Sequence, residues 1–220
     1  MNELQVDSVS KSFGINPVLT DIFISCKPGD IIGLLGRNGE GKSTLLKIIF
    51  GSLKADNKFI RIDGKIINGL GDGKNKIRYL PQHNFLPSHL KINTIIELFC
   101  KPSEMAIVKN NQHIKPFLNK KTNELSGGER RMVEILLIIH TEAMYILIDE
   151  PFNGVEPIYK NDIKRLVQEH SQQKGFIITD HDHRNIVDIA TKIILLFDGG
   201  TKQIKIKDEL MDWGYMPGLH

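Results

Sequence analysis

Residues 33–44 read GLLGRNGEGKST, and this stretch decides the fold. Residues 36–43 match the pattern GxxxxGK followed by Ser or Thr, with the apolar run IIGLL just before and the helical pattern STLLKIIF just after. Phosphate oxygens must approach the backbone closely, which glycine permits, and a helix N-terminus supplies partial positive charge. A strand, a glycine-rich loop and a helix in this order predict a phosphate-binding loop.

The motif predicts a role for individual residues of the loop. Lys42 is predicted to reach the β- and γ-phosphates of a nucleotide, and the Ser43 hydroxyl to contact Mg²⁺. Glu40 puts an acid inside a loop that surrounds a polyanion, so we expect its side chain to point outward. The predicted nucleotide-binding residues of the loop are Gly36, Arg37, Asn38, Gly39, Glu40, Gly41, Lys42, Ser43 and Thr44.

Composition narrows the class of protein. A chain of 220 residues, 40% hydrophobic, is long enough to bury a core. No apolar run approaches the roughly 20 residues of a membrane span, and the start lacks the regions of a signal peptide, so we expect a cytosolic chain. A net charge of +3 does not indicate a nucleic-acid partner, and none is expected. Cys26 and Cys100 lack CxxC spacing and are predicted to be reduced thiols.

Apolar runs alternate with helical patterns along the chain. IIGLL, YILI and FIIT are continuous runs, typical of strands buried on both faces of a parallel sheet. Helical patterns follow them, including IYKNDIKRLVQEHSQQKG and HRNIVDIATK, with Gly51 and Gly175 as predicted C-terminal stops. The alternation predicts an α/β layered domain with a mainly parallel central sheet.

The character of the sequence changes between Gln82 and Leu125. The segments INTIIELF, SEMAIVK and HIKPFLNKK look helical, and no central strand is predicted there. We therefore expect a small α-helical subdomain at about 83–144, with the core formed by 1–82 and 145–220. Because no internal repeat or Pro/Ser-rich linker occurs, the whole chain, 1–220, is predicted to be a single domain.

The run YILIDE ends in two acids, Asp149 and Glu150. Ligands bind at the carboxyl ends of strands in open α/β sheets, which is where these acids stand. Asp149 is predicted to hold Mg²⁺ through water. Glu150 is then placed to orient or deprotonate a water that attacks the γ-phosphate. A solvated strand end is the alternative, and the phosphate-binding loop favours the catalytic interpretation.

A second glycine-rich stretch, LSGGERR at 125–131, completes an ordered set of motifs. The set GRNGEGKST, YLPQ, LSGGERR, YILIDEP and ITDHD resembles the ATP-binding cassette (ABC) family of ATPase subunits. The resemblance covers almost the whole chain, from SKSFG to KIILLFDGG. It implies a P-loop NTPase core with a mainly parallel sheet, an N-terminal antiparallel β subdomain and a small helical subdomain.

The resemblance also implies a partner for the second glycine-rich stretch. LSGGE would complete the site of another cassette across a head-to-tail homodimer, with two ATP molecules sandwiched between the subunits. Ser126 would supply a hydroxyl, and Gly127 and Gly128 would leave room for backbone N–H groups. The helix that begins at this stretch, which includes Glu129, would point its positive end at the partner's γ-phosphate.

Three further positions carry over from the resemblance. Gln82 in YLPQ is implied to contact Mg²⁺ and the attacking water, and His181 in ITDHD to touch the γ-phosphate and fix that water. Phe13 in SKSFG is implied to stack on adenine, although a core phenylalanine is the alternative. The implied catalytic residues are Gln82, Glu150 and His181, and the implied magnesium contacts are Ser43, Gln82 and Asp149.

One loop departs from the family pattern. After the two acids the chain reads PFNGVEP, with Glu156 where the family usually has Asp. The PF-G-V-P pattern is similar to that of the lipopolysaccharide-export and branched-chain amino-acid ATPases. The extra methylene of Glu156 predicts weaker communication between the two sites of the dimer. Because the segment from Gln82 to Ser126 is shorter than expected for that subgroup, its export substrate is not carried over.

Two functions remain open at this point. The leading interpretation is an ATP-hydrolysing subunit, peripheral to the cytoplasmic face of a membrane, that drives separate transmembrane permease subunits. The alternative is a soluble ABC-type ATPase acting in assembly, such as iron–sulfur assembly. A GTPase would need Asp where Thr122 stands in NKKT. The tail KDELMDWGYMPGLH is read either as a docking segment or as a short helix packed on the last strand.

Overall fold

A computed structural model describes residues 2–204, in which ten strands form two sheets. The strands are β1 (Leu4–Phe13), β2 (Asn16–Cys26), β3 (Ile31–Leu35), β4 (Asn57–Ile62), β5 (Lys65–Ile66), β6 (Ile77–Leu80), β7 (Tyr145–Asp149), β8 (Gly175–Thr179), β9 (Lys192–Phe197) and β10 (Gly200–Ile204). The smaller sheet is antiparallel, in the order β2-β1-β4-β5. The larger has the order β10-β9-β3-β8-β7-β6 and is parallel except for β10. Both predicted sheets are confirmed.

Seven α-helices occur in the same part of the chain. They are α1 (Lys42–Phe50), α2 (Leu70–Gly73), α3 (Ile92–Phe99), α4 (Pro102–Asn110), α5 (Gly127–Ile139), α6 (Pro157–Ser171) and α7 (His183–Val187). Helices α3, α4 and α5 follow one another without an intervening strand, which confirms the helical subdomain. None of the helices between residues 2 and 204 has the length and apolar character needed to cross a membrane.

The central strands are buried along their whole length because both faces of the sheet are covered. Ile146 and Ile148 of β7 pack in one core with side chains of α5 and α6. Leu147, between them, packs in a second core with α1 and the antiparallel sheet. The carboxyl ends of parallel strands meet at one edge of a sheet, and there Asp149 pairs with Thr179 of β8. This edge carries the predicted site.

The predicted helix at 113–121 is wrong: only a single 3₁₀ turn, Lys115–Phe117, forms there. Pro116 has no backbone N–H and disfavours a helical conformation of the residue before it. The following backbone instead accepts hydrogen bonds from α3, since Ile92 N donates to Lys120 O over 3.0 Å. The chain therefore pairs with the start of α3 rather than coiling on itself.

Of the two glycines predicted to stop helices, only one does so. Gly51 follows α1 with φ 90°, in the left-handed conformation that suits a helix end. Gly175 instead opens β8, three residues after the C-cap of α6 at Gln172. A Cβ at Gly175 would lie 2.7 Å from the Cys26 sulfur, so glycine is required there for close packing. The C-terminal tail lies outside the described residues.

Candidate active site

A cleft of about 540 Å³ opens at the carboxyl ends of the central strands. It is lined by four segments that are distant in sequence, and its lining residues are Asn38, Gly39, Gly41, Lys42, Ser43, Thr44, Gln82, Glu150, Asn153 and His181. The structure thus brings most of the glycine-rich loop together with Gln82, Glu150 and His181. Asn153, which the motifs did not single out, joins them.

Two residues of the loop have a backbone conformation that requires glycine. Gly39 and Gly41 have φ angles of 88° and 99°, in the left-handed region. A side chain at Gly41 would also meet Val18, whose Cγ1 lies 2.7 Å from the position of a Cβ. No side chain caps the N-terminus of α1, so its first amides can receive an anion.

Lys42 carries the positive charge of the cleft. It is 7% exposed, and its Nζ donates to the carbonyl oxygens of Gly36 over 2.7 Å and Arg37 over 2.9 Å. Burial lowers the pKa of Lys42, and the nearby carboxylates of Glu150 and Asp149 oppose that shift. Gly36 and Arg37 therefore contribute to the site by holding this ammonium group rather than by lining the cleft.

Glu40 turns away from the cleft, as the sequence predicted. Its Oε2 accepts a hydrogen bond from the backbone N–H of Asp198 over 3.1 Å. The acid is thus attached to the turn between β9 and β10.

Asp149 is buried and receives three hydroxyl groups. Its Oδ1 accepts from Ser43 Oγ over 3.0 Å and from Thr179 Oγ1 over 2.7 Å. Its Oδ2 accepts from the hydroxyl of Tyr79 over 3.0 Å, and burial, with this carboxylate beside it, raises the pKa of Tyr79. Hydroxyl and carboxylate oxygens are the ligands that a hard cation such as Mg²⁺ prefers, and here they lie close together. Sequence reasoning missed Tyr79 and Thr179, because only the strand register reveals them.

Glu150 has a φ angle of 48°, which is rare for a residue with a side chain. Such a conformation costs about 1–3 kcal/mol and persists only when the surroundings impose it. Its backbone N–H donates to Thr179 O over 3.0 Å. Its Oε2 accepts from Gln82 Nε2 over 2.7 Å and from Asn153 Nδ2 over 3.2 Å. The bent backbone therefore presents an oriented carboxylate to the cleft.

His181 lies near the same carboxylate oxygen of Glu150. Its Nδ1 lies 3.8 Å from Glu150 Oε2 and 3.5 Å from Asp180 Oδ1. Asp180 is buried, accepts from the backbone N–H groups of Asp182 over 2.8 Å and Phe152 over 3.2 Å, and has a pKa raised by its burial. This carboxyl, also missed by sequence reasoning, ties the His181 segment to the segment that follows Glu150.

The LSGGE residues lie outside this cleft. Ser126 is the N-cap of α5: its Oγ accepts from Glu129 N over 3.2 Å, and Glu129 Oε2 accepts from Ser126 N over 2.8 Å. This reciprocal pair is a capping box. Ser126 and Gly127 are exposed, whereas Gly128 is covered by Glu156, whose carboxylate would overlap a Cβ at that position.

Phe13 is also outside the cleft. Its side chain is 51% exposed, so it does not belong to the core, and the ammonium of Lys11 lies 5.2 Å from its ring centroid.

Comparisons with known proteins agree with this geometry. The sequence profile of the family described as ABC transporter matches residues 19–153. The chain is 31% identical to the lipopolysaccharide export system ATP-binding protein LptB of Haemophilus influenzae, over 98% of each chain. It is 26% identical to the sulfate/thiosulfate import ATP-binding protein CysA of Bacillus cereus, over 95% of this chain and 63% of that protein.

A solved structure supports the fold. The dimeric structure of the bacterial ABC transporter cassette MJ0796 matches with a TM-score of 0.78 at 23% identity, over 92% of this chain and 99% of the other. The sequence matches and the shared fold agree with the order of motifs around the cleft. The chain therefore belongs to the ABC transporter family, as one of its ATP-binding ATPase subunits.

Proposed function

We propose that this chain hydrolyses ATP to drive separately encoded transmembrane subunits. The observation that carries the proposal is the convergence, in one cleft, of a glycine-rich loop with Lys42 and an oriented carboxylate at Glu150. Phosphoryl transfer depends mainly on positioning and electrostatic stabilisation, which these groups can supply. The resemblance to transporter subunits supports this function over a soluble assembly role.

Nucleotide binding follows from the loop. The ATP phosphates would lie over the amides of the loop and the first turn of α1, with Lys42 moving from two backbone carbonyls to the phosphates. Ser43, Asp149 and Gln82 would hold Mg²⁺, which neutralises phosphate charge when bound. The hydroxyl and carboxylate oxygens 3.0 Å apart support this assignment. Phe13, half exposed at the end of β1, would stack on adenine.

For hydrolysis, Glu150 is the residue that orients the attacking water and accepts its proton. Gln82 would align the water from one side, consistent with its hydrogen bond to Glu150. His181 would contact the γ-phosphate, consistent with its ring nitrogen lying 3.8 Å from the same carboxylate oxygen and with its place in the lining of the cleft. Water oxygen then bonds to the γ-phosphorus, and the bond from that phosphorus to the β-phosphate oxygen breaks.

A second copy of the chain would complete the site. Ser126, Gly127, Gly128 and Glu129 lie outside their own cleft, at the N-terminus of α5, where Ser126 and Gly127 are exposed. A helix N-terminus suits an anion, so it would close over the γ-phosphate held by the partner. The functional unit is therefore a head-to-tail homodimer with two ATP molecules.

The helical subdomain, 83–144, would contact the membrane subunits at the cytoplasmic face. It exposes three large apolar side chains on α3 and α4: Leu98 at 70%, Phe99 at 43% and Ile107 at 60%. Large apolar side chains exposed on two helices of one subdomain offer contacts to an apolar partner surface. The cargo of the relatives is not assigned to this chain, because cargo contacts belong to the membrane subunits.

The proposal is tested by recovering the tagged chain from detergent-solubilised membranes of its own cells. We expect membrane-spanning proteins to copurify with the wild type and to be lost from Leu98→Asp. Leu70→Asp, a change of a comparably exposed leucine on α2, should retain them. Recovery of soluble proteins alone would favour the assembly role instead.

A further inference from the structure

A buried ion pair on α5 lies beneath the active site without lining it. Arg131 is 4% exposed and Glu134 is fully buried, and Arg131 NH1 lies 3.2 Å from Glu134 Oε2. Sequence motifs gave neither residue a role.

The pair contacts the backbone on both sides of Gln82. Arg131 NH1 donates to the carbonyl oxygen of Pro81 over 2.8 Å, immediately before Gln82. Glu134 Oε1 accepts from the backbone N–H of Phe85 over 3.1 Å, three residues after it. The two charged side chains therefore fix both ends of the short segment that carries Gln82.

Arg131 also contacts the backbone of both active-site acids. Its NH2 donates to the carbonyl oxygen of Asp149 over 2.7 Å and, more weakly, to that of Glu150 over 3.4 Å. One guanidinium group thus joins the segment of Gln82 to that of Glu150, whose side chains meet over 2.7 Å. This is the fork geometry of arginine, which lysine cannot reproduce.

From these contacts we propose that Arg131 and Glu134 are positioning residues for ATP hydrolysis. They set the amide of Gln82 against the carboxylate of Glu150 and connect both to the helix that begins at Ser126. The proposal rests on the proposed ATPase function. Arg131 thus links the helix whose N-terminus would meet the partner's nucleotide to the residues that would orient the attacking water.

Stability alone does not account for a charged pair at this place. Burial lowers the pKa of Arg131 and raises that of Glu134, and each charge offsets the shift of the other. Replacing a buried ion pair by apolar side chains of similar volume is often neutral or stabilising, whereas removing one partner is strongly destabilising. The pair is thus explained by the backbone groups that it holds.

The test uses the tolerance of buried ion pairs to replacement by apolar side chains. The double variant Arg131→Met/Glu134→Leu removes both charges and every hydrogen bond of the pair while keeping the space filled. Arg130→Met is the matched control, because Arg130 is on the same helix and its side chain donates, within residues 2–204, to Thr122 O alone, over 3.2 and 2.9 Å. We expect kcat of the double variant, measured below its Tm, to fall at least about tenfold while KM for MgATP is unchanged, and the control to keep kcat.

Wild-type kcat in the double variant, or an equal fall in the control, overturns the proposal. If the double variant does not fold, Arg131→Lys takes its place, with the same expected loss of kcat at unchanged KM.

Hydrogen exchange separates this proposal from the proposed function. If the wild type hydrolyses no ATP, the proposed function fails and the role in hydrolysis fails with it, and exchange of the Phe85 amide then tests whether the pair holds the Gln82 segment in place. Faster exchange in the double variant than in the control supports it, and equal exchange overturns it.

Discussion

The side-chain amide of Gln82 donates to Oε2 of Glu150 over 2.7 Å, and so joins the segment after β6 to the end of β7. Asn153 donates to the same oxygen. Two amides therefore orient this carboxylate. A general base must lie within hydrogen-bonding reach of the proton that it takes, so its orientation controls the rate.

Glu150→Gln should abolish most hydrolysis while leaving nucleotide binding intact. Glutamine has the same size but cannot accept the proton of water, and general-base catalysis is worth about 10²–10⁴ in rate. We expect kcat to fall at least about 100-fold, measured by phosphate release, with unchanged Kd for ATP. Glu142→Gln, at an exposed acid beyond α5, is the control. Turnover at the wild-type rate by Glu150→Gln would remove Glu150 from its catalytic role.

Lys42→Ala should weaken binding itself. A hydrogen bond to a charged group contributes about 1.5–3 kcal/mol, which corresponds to a loss of about 10- to 160-fold in affinity. Isothermal titration with MgATP measures it, and Lys47→Ala, an exposed lysine of the same helix, should bind as the wild type does. Equal affinities of the two variants would contradict the assigned phosphate contact.

Glu156→Asp should stabilise the chain. Glu156 is the N-cap of α6, but its side chain makes no capping hydrogen bond and lies against Gly128 instead. Aspartate is among the favoured N-caps, so the shorter side chain should add about 0.5–1 kcal/mol to the free energy of unfolding. Urea denaturation measures the change, with the exposed Glu169→Asp as control. A loss of stability would mean that the contact with Gly128 contributes more than the missing cap.

Both thiols should be unreactive in the native protein. Burial raises the pKa of Cys100 to about 11 and raises that of Cys26 further. At pH 8 only about one Cys100 in a thousand is then a thiolate, the reactive form, and reactivity should increase as pH approaches 11. Mass spectrometry after iodoacetamide treatment should find neither residue modified natively and both modified in urea. Rapid native modification at pH 8 would contradict the described packing.

Much of the fold could be predicted because local patterns and packing agree. Continuous apolar runs predicted the buried strands β3, β7 and β8, and the glycine-rich loop required a strand before it and a helix after it. The helix predicted at 113–121 does not form, because Pro116 disfavours it and the segment pairs with the start of α3 instead. Its backbone conformation depends on a tertiary contact that periodicity does not encode.

The supporting side chains of the site were harder to predict. Thr179 reaches Asp149 because β8 pairs beside β7 in a particular register, which the motifs do not specify. In the sequence, nothing distinguishes Arg131 from the other arginine of LSGGERR. Its contacts with Pro81 and Asp149 are seen only in the structure, where the loops that carry these residues pack on α5. The residues predicted to contact the ligand belong to short sequence motifs. The side chains that hold those residues in place can be identified only from their contacts in the structure.

The most direct test of the account is the mass in solution of the Glu150→Gln variant, measured by light scattering with and without MgATP. Without hydrolysis, a bound nucleotide should hold two copies together, so MgATP should convert monomer to dimer. Adding Ser126→Arg should prevent the dimer while leaving ATP bound, because Ser126 does not line its own cleft. A Glu150→Gln chain that binds ATP and stays monomeric would contradict the claim that LSGGE completes the site of a second copy.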